Sequence, residues 1–301
     1  LEFRRVLFRS FIMKKVAVLN DLSGFGKCSL TAAIPVLSAL GVQCCPLPSA
    51  VLTNQTGYEH FRSTDLTGMI PDYTKTWQEN GASFDGIYSG YMTGRRQIEH
   101  FSDFLDIFYK TDTFLLVDPV MGDDGHTYGM YSKDLLDGMK ELSKRADVIT
   151  PNLTEACLLC DYDIDDVFSD TRKETLLPKA AEIAQRLRVL SGKDQDVIVT
   201  GIKCKNDKSP FIYNLIVTNS GTFTNRSHFF DRSFSGTGDL FASVVCGCHI
   251  NGMTTQDAVE LASSFIYHSI ADTMNDDVPP NDGVNFEKFL IELIKGGTNN
   301  G

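Results

Sequence analysis

Phe234-Ser235-Gly236-Thr237-Gly238-Asp239-Leu240-Phe241 decides how the rest of the chain is read. From Ser235 to Gly238 there is no bulky side chain, then a carboxylate, then an apolar run that predicts a helix over about 239–249. Two glycines let the backbone turn tightly and approach a ligand closely. The free N–H groups and dipole of the helix N-terminus favour an anion there. A carboxylate beside an anion site is costly unless it has a task. The natural one is to accept a proton from a hydroxyl that attacks phosphorus. The plainer reading, a Gly turn with Asp239 as N-cap, stands at even weight on these residues alone, because Gly-x-Gly-Asp is short.

Composition narrows the class. The chain has 301 residues, 42% hydrophobic and 22% charged, with a formal net charge of −11. These values fit a globular protein and argue against nucleic acid or an anionic membrane as the main partner. No apolar run approaches the ~20 residues that span a bilayer. The eight cysteines sit mostly among apolar residues and read as small core hydrophobes in a reducing cytoplasm. Cys157-x-x-Cys160 has no partner pair of zinc spacing, since Cys246-x-Cys248 is one residue short. Residues 1–12 differ in charge pattern from the rest of the chain and read as a non-native extension, with Met13 a plausible start. Residues 13–301, without repeat or linker, read as a single domain.

Outward from 234–241, apolar strand patterns alternate with amphipathic helices from 15 to 201. That order predicts a central, mostly parallel sheet with helices on both faces. Polar clusters fall at the carboxyl ends of the successive strands: Asp21, Thr56, Tyr91, Asp118, Asn152 and Thr200. In open α/β sheets ligands bind at that edge. Residues 21–29 contain two decoys. A P-loop lacks its first glycine, because Asp21 stands there, and Cys28 follows Lys27 where Ser or Thr is required. A dinucleotide fingerprint lacks its third glycine, because Ser29 stands there. Residues 122–130 are too polar for a core and read as a flap. Asn152 and Glu155 have capping-box spacing. Residues 161–170 read as an acidic loop, 65–80 and 285–294 as helices, and 211–218 with 221–229 as a hairpin.

Gly-Thr-Gly-Asp before an apolar helix resembles the anion hole and catalytic base of the ribokinase-like superfamily. Within it, the chain resembles the pyridoxal kinase family, from about Met13 to the C-terminal helix. Thr53-Asn54-Gln55-Thr56-Gly57-Tyr58 is similar to that family's Ser-Asn-His-Thr-Gly-Tyr, with Gln55 in place of His. Asp118-Pro119-Val120-Met121-Gly122-Asp123 and Thr150-Pro151-Asn152 are close to its other segments. The resemblance implies a ribokinase-like three-layer sandwich. It implies substrate contacts from Asp21 (where the family has serine), Ser23, Gln55, Thr56 and Tyr91. It implies ATP-side roles for Asp123, Tyr131, Thr150, Asn152 and Thr200, and a magnesium environment built on Asp118 and Glu155.

The expected reaction is therefore ATP-dependent phosphorylation of the 5′-hydroxymethyl group of a vitamin B6 vitamer. Asp239 serves as base, and the amides of Gly236, Thr237 and Gly238 stabilise the transferring group. The expected small-molecule partners are ATP with Mg2+ and a vitamer. A monovalent cation such as K+ stays open, and the resemblance implies a homodimer. Three rivals remain. A hydroxymethylpyrimidine kinase shares the anion hole. A sugar kinase usually needs a small lid of extra strands, for which 20–54 leaves no room. A non-catalytic B6-binding protein would not need Asp239.

Overall fold

The structure is a computed structural model and describes residues 13–205 and 210–296. The extension expected at 1–12 lies outside the described residues. The strands are β1 (Lys15–Ser23), β2 (Gln43–Leu52), β3 (Ser63–Asp65), β4 (Gly86–Ser89), β5 (Phe114–Val117), β6 (Gly122–Asp123), β7 (His126–Thr127), β8 (Val148–Ile149), β9 (Asp196–Lys203), β10 (Phe211–Thr218) and β11 (Gly221–His228). The helices are α1 (Ser29–Ala39), α2 (Ile70–Glu79), α3 (Arg95–Phe108), α4 (Lys133–Arg145), α5 (Leu153–Cys160), α6 (Ile164–Ser169), α7 (Lys173–Ser191), α8 (Thr237–Ile250), α9 (Thr255–Thr273) and α10 (Leu290–Gly296).

Nine strands form one sheet in the order β11-β10-β9-β8-β5-β4-β1-β2-β3. From β9 to β2 every neighbour is parallel, while β10, β11 and β3 add antiparallel edges. Strand β1 shows why the sheet must be covered twice. Val16 and Val18 point into one core while Ala17 and Leu19 point into the other, and all four are buried. A strand apolar on both faces needs helices on both faces. Helices α2, α3, α4, α5 and α7 pack on the Ala17 side, and α1, α8, α9 and α10 on the Val16 side. The result is the expected three-layer sandwich of ribokinase-like type.

The chain runs from β1 outward to β2, then returns to β4 on the other side of β1 and continues through β5, β8 and β9. The strand order thus reverses between β1 and β4. The carboxyl ends at such a switch point diverge and open a crevice.

Local structure departs from expectation in four places. Residues 161–170 are not all loop: α6 forms within them, with Asp163 accepting a bond from Asp166 N at 3.0 Å as N-cap, and acidic residues suit a first helical turn. Helix α2 starts at Ile70 rather than near 65, with Pro71 in its first turn. The preceding residues pair as edge strand β3 with β2. The 122–130 segment is a tight hairpin, β6–β7, turning at Asp124 and Gly125, which both have positive φ, +47° and +82°; a two-residue loop of that hand matches strand twist. At the C-terminus a 3-10 turn over Glu287–Phe289 precedes α10.

Candidate active site

Helix α8 begins directly after Gly236, which adopts φ +81° and ψ −2°. A β-carbon there would run into the Lys27 carbonyl, whose carbon is 2.9 Å from that position. Only glycine fits both the backbone and the space. Thr237 turns its hydroxyl back to the Phe234 carbonyl at 3.2 Å, so what the motif offers a ligand is the amides of the first turn. These have no helical carbonyl ahead of them, and Gly238 is exposed.

Asp239 follows on the same turn. Its Oδ1 accepts a bond from Asn20 Nδ2 at 3.0 Å. Burial pushes its carboxyl up to about 6, and the charge of Asp21 acts in the same direction; bonds from the Ser29 backbone and Asn20 act against both. Asn20 lies on β1 and its Oδ1 accepts from two amides, Asp21 N at 3.0 Å and Tyr91 N at 2.9 Å. One carboxamide thus ties β1, the loop after β4 and α8 together at the switch point.

Asp21 is buried, and burial raises its pKa. Its two oxygens accept from Ser23 Oγ at 2.7 Å and from Ser29 Oγ. Ser29 holds a left-handed φ of +50°, uncommon for serine. The carboxylate therefore organises its own loop, and Ser23 serves it. Tyr91 is partly buried nearby: burial first, then the charges of Asp21 and Asp65, raise its phenol.

On the other side of Asp239 the buried Asp118 closes β5, accepting from Thr150 Oγ1 at 2.9 Å. Burial, reinforced by the charge of Asp239, holds its carboxyl far above the usual range. Buried Glu155 is raised too, by burial and by Asp118. Its oxygens accept from Met121 N at 3.0 Å and Asn152 N at 2.9 Å, and Asn152 Oδ1 accepts from Glu155 N at 3.0 Å. Both the capping box and a wider brace are present. Asn152 Nδ2 also donates to the Gly122 carbonyl at 2.7 Å, and Thr200 N to Pro151 O at 2.9 Å. No group of three or more His, Cys, Asp or Glu is poised as a metal cage among the described residues. The chemistry of the donors, oxygen and mutually repelling, suits a hydrated magnesium ion. Glu155, committed to two amides, fits a bracing part better than a direct ligand.

Loop 54–58 forms one wall. Gln55 N donates to Phe25 O at 2.9 Å; Gln55 Oε1 accepts from Gly57 N at 2.7 Å, and its Nε2 donates to Asn281 O at 3.1 Å. Asn281 Nδ2 returns a bond to Gly57 O at 2.8 Å, and the Tyr58 hydroxyl donates to Asp282. Gln55 is thus buried and occupied, while Thr56 is exposed on the same loop. Tyr131 packs partly buried against the α4-side core, and Asp123 is exposed at the β6–β7 turn, where Lys203 Nζ reaches Asp124 at 2.7 Å.

The structure therefore links Asp21, Ser23, Tyr91, Asp239, Asp118, Thr150, Asn152 and Glu155 into one crevice. Gln55 and Thr56 stand at its wall, and Asp123, Thr200 and Tyr131 farther along the same edge. Sequence reasoning missed Asn20, Ser29, Asn281, Asp282 and Lys203. Asn20 carried a signal, being the first polar residue at the end of an apolar strand. The bonds of Asn281 and Asp282 reach more than 200 residues back along the chain and left none.

Comparison with known proteins identifies the family. The family profile of phosphomethylpyrimidine kinase matches residues 27–282. A Bacteroides thetaiotaomicron protein described as a phosphomethylpyrimidine kinase, crystallised in an orthorhombic form with pyridoxal, superposes with a TM-score of 0.84 at 35% identity, covering 93% of this chain and 96% of that one. The pyridoxal kinase of Lactobacillus plantarum superposes with a TM-score of 0.82 at 25% identity, over 94% of this chain and 97% of that one. The pyridoxine/pyridoxal/pyridoxamine kinase of Bordetella avium is 26% identical over 83% of this chain and 82% of its own length. By the extent of these matches, this protein belongs to the phosphomethylpyrimidine kinase family of ribokinase-like, alcohol-phosphorylating kinases.

Proposed function

We propose that the chain phosphorylates the 5′-hydroxymethyl group of a vitamin B6 vitamer from ATP, with Asp239 as general base. The observation that carries this reading is a half-buried carboxylate, raised to about 6 and oriented by Asn20, on the first turn of a helix that starts directly after a left-handed glycine. Asp239 takes the hydroxyl proton as the oxygen attacks the γ-phosphorus. The amides of Gly236, Thr237 and Gly238 stabilise charge on the transferring group, at ~3 kcal/mol for a well-placed donor. Bound magnesium would neutralise phosphate charge, with Asp118 holding it through water and Thr150, Asn152 and Glu155 fixing Asp118's surroundings. Tyr91, Thr56 and the loop set by Asp21, Ser23 and Gln55 shape the acceptor side. Asp123, Thr200 and Tyr131 lie toward the nucleotide.

The pyridoxal-bound relative supports a pyridine acceptor, and the matched family profile keeps a hydroxymethylpyrimidine acceptor as the second reading. A homodimer in the cytoplasm, with or without a K+ requirement, completes the proposal.

The test is ADP release with Mg·ATP, run in parallel on pyridoxal, pyridoxamine, pyridoxine and hydroxymethylpyrimidine, with Asp239→Asn as control. Turnover on a pyridine that collapses in the variant is the expected result. Turnover on the pyrimidine alone would reassign the acceptor. Silence on all four, with ATP still bound, would sink the B6 assignment and reopen the sugar-kinase and carrier readings.

A further inference from the structure

We propose that Asn20 is the positioning residue for the base, fixing the direction in which the Asp239 carboxylate meets the acceptor hydroxyl. The proposal rests on the reading of Asp239 as general base.

The geometry is specific. Asn20 is fully buried at the carboxyl end of β1, and each end of its carboxamide has a different task. The oxygen accepts from the amides of Asp21 and Tyr91, at 3.0 and 2.9 Å. Those two bonds fix which way the amide faces, because only an acceptor satisfies two N–H donors. The nitrogen is thereby aimed at Asp239 Oδ1, 3.0 Å away. One oxygen of the carboxylate is thus held by a carboxamide whose own direction is fixed, and the Ser29 backbone adds a second bond to the same group.

The chain also makes room for this side chain. Gly90, directly after β4, lies so close that a β-carbon there would stand 2.7 Å from Asn20 Cγ and 2.9 Å from its Oδ1. Gly90 has no left-handed φ to account for the missing side chain; the room for Asn20 does. A hydrogen bond that anchors a base through a neighbour acts on orientation. Misplacement of a reacting group by about an ångström can cost up to about 100-fold in rate.

Two variants separate positioning from plain structure. Asn20→Leu keeps the side chain's size and neutrality, but it cannot donate to Asp239 and adds no second carboxyl beside it. Gly90→Ala leaves Asn20 chemically intact and displaces it. Each is made in the wild-type chain and again in the Asp239→Asn chain, and kcat, KM for ATP and Tm are measured on purified protein. In the wild-type background both variants should lower kcat by about 10- to 100-fold, with KM for ATP changed less than about twofold. In the Asp239→Asn background, measured in single turnover, neither should change the rate by more than about twofold, because a residue that acts through the base has nothing left to act on. Equal losses in both backgrounds, or losses confined to KM, would overturn the proposal and leave Asn20 a structural tie. Should Asp239→Asn itself turn over like wild type, the base assignment fails and the positioning role with it. That result is distinct from an active base whose rate ignores Asn20. If Asn20→Leu does not fold, Gly90→Ala carries the same comparison alone.

Discussion

The Lys27 carbonyl fills the space that a β-carbon of residue 236 would need, so Gly236 and Lys27 are fitted to one another across the crevice. That contact sets the height of the α8 N-terminus against the loop after β1. Gly236→Ala would combine a left-handed strain of about 1 kcal/mol with a backbone clash that only movement of the helix start can relieve. The expected outcome is a loss of about 2 kcal/mol or more in unfolding free energy, read by urea titration, together with a larger loss in kcat than in ATP affinity. An alanine variant as stable as wild type would refute the fit.

Removing the proposed base should separate chemistry from binding. Asp239→Asn keeps shape and burial but cannot take a proton. Turnover should fall by about 1000-fold, within the range for a general base acting on the transition state, while calorimetric ATP affinity stays within a few-fold.

The pH dependence has a definite sign. As the proposed base, Asp239 must be ionised to act, and burial pushes its carboxyl up to about 6. The acidic limb of kcat/KM should therefore bend near pH 6, activity falling as pH drops through it. Stability runs the other way. Between the ordinary value of 3.8 and about 6 the folded carboxyl keeps a proton that the unfolded chain has lost, so this group destabilises the fold as pH rises through that window. Asp239→Asn should consequently raise the unfolding free energy at pH 8 by up to about 3 kcal/mol, and by much less at pH 4.

Glu155 should behave as a brace. Glu155→Ala strands the amides of Met121 and Asn152, at about 1 to 3 kcal/mol for each buried donor left unpaired. Glu155→Gln retains one acceptor and should lose about half as much. Chemical denaturation of the pair gives the ratio. An alanine variant with unchanged stability and abolished magnesium dependence would point to direct ligation instead.

Tyr58→Phe removes the bond to Asp282 that helps hold loop 54–58 against 280–282. The KM for the acceptor should rise several-fold with KM for ATP unchanged, as initial-rate kinetics with each substrate varied would show.

Much of the fold and site is legible in the chain itself, because it is written locally. Strand β5 can be read with its observed ends, since four consecutive apolar residues between a turn and Asp118-Pro119 admit little else. The Asn152–Glu155 capping box is visible as spacing and is present as two reciprocal bonds. Glycines 236 and 238 announce a helix N-terminus. The parts that are not legible depend on distant partners. In the sequence Asp21 and Gln55 resemble side chains waiting for a ligand; each is engaged by neighbours that only folding supplies, Ser23 and Ser29 for one and Gly57 and Asn281 for the other. Strand β3 has three residues, all exposed, so it carries no hydrophobic period from which to be read.

The crevice joins opposite ends of the polypeptide. Asn20 meets Asp239 across 219 positions, Tyr58 meets Asp282 across 224, and Lys27 meets Glu287 across 260. A ribosome therefore releases every strand of the sheet before Asp239 is made, and residues up to 282 before the wall at 54–58 is clasped. Contacts of such long range form late. A copy cut short before residue 280 has a sheet but lacks the partners that clasp loop 54–58.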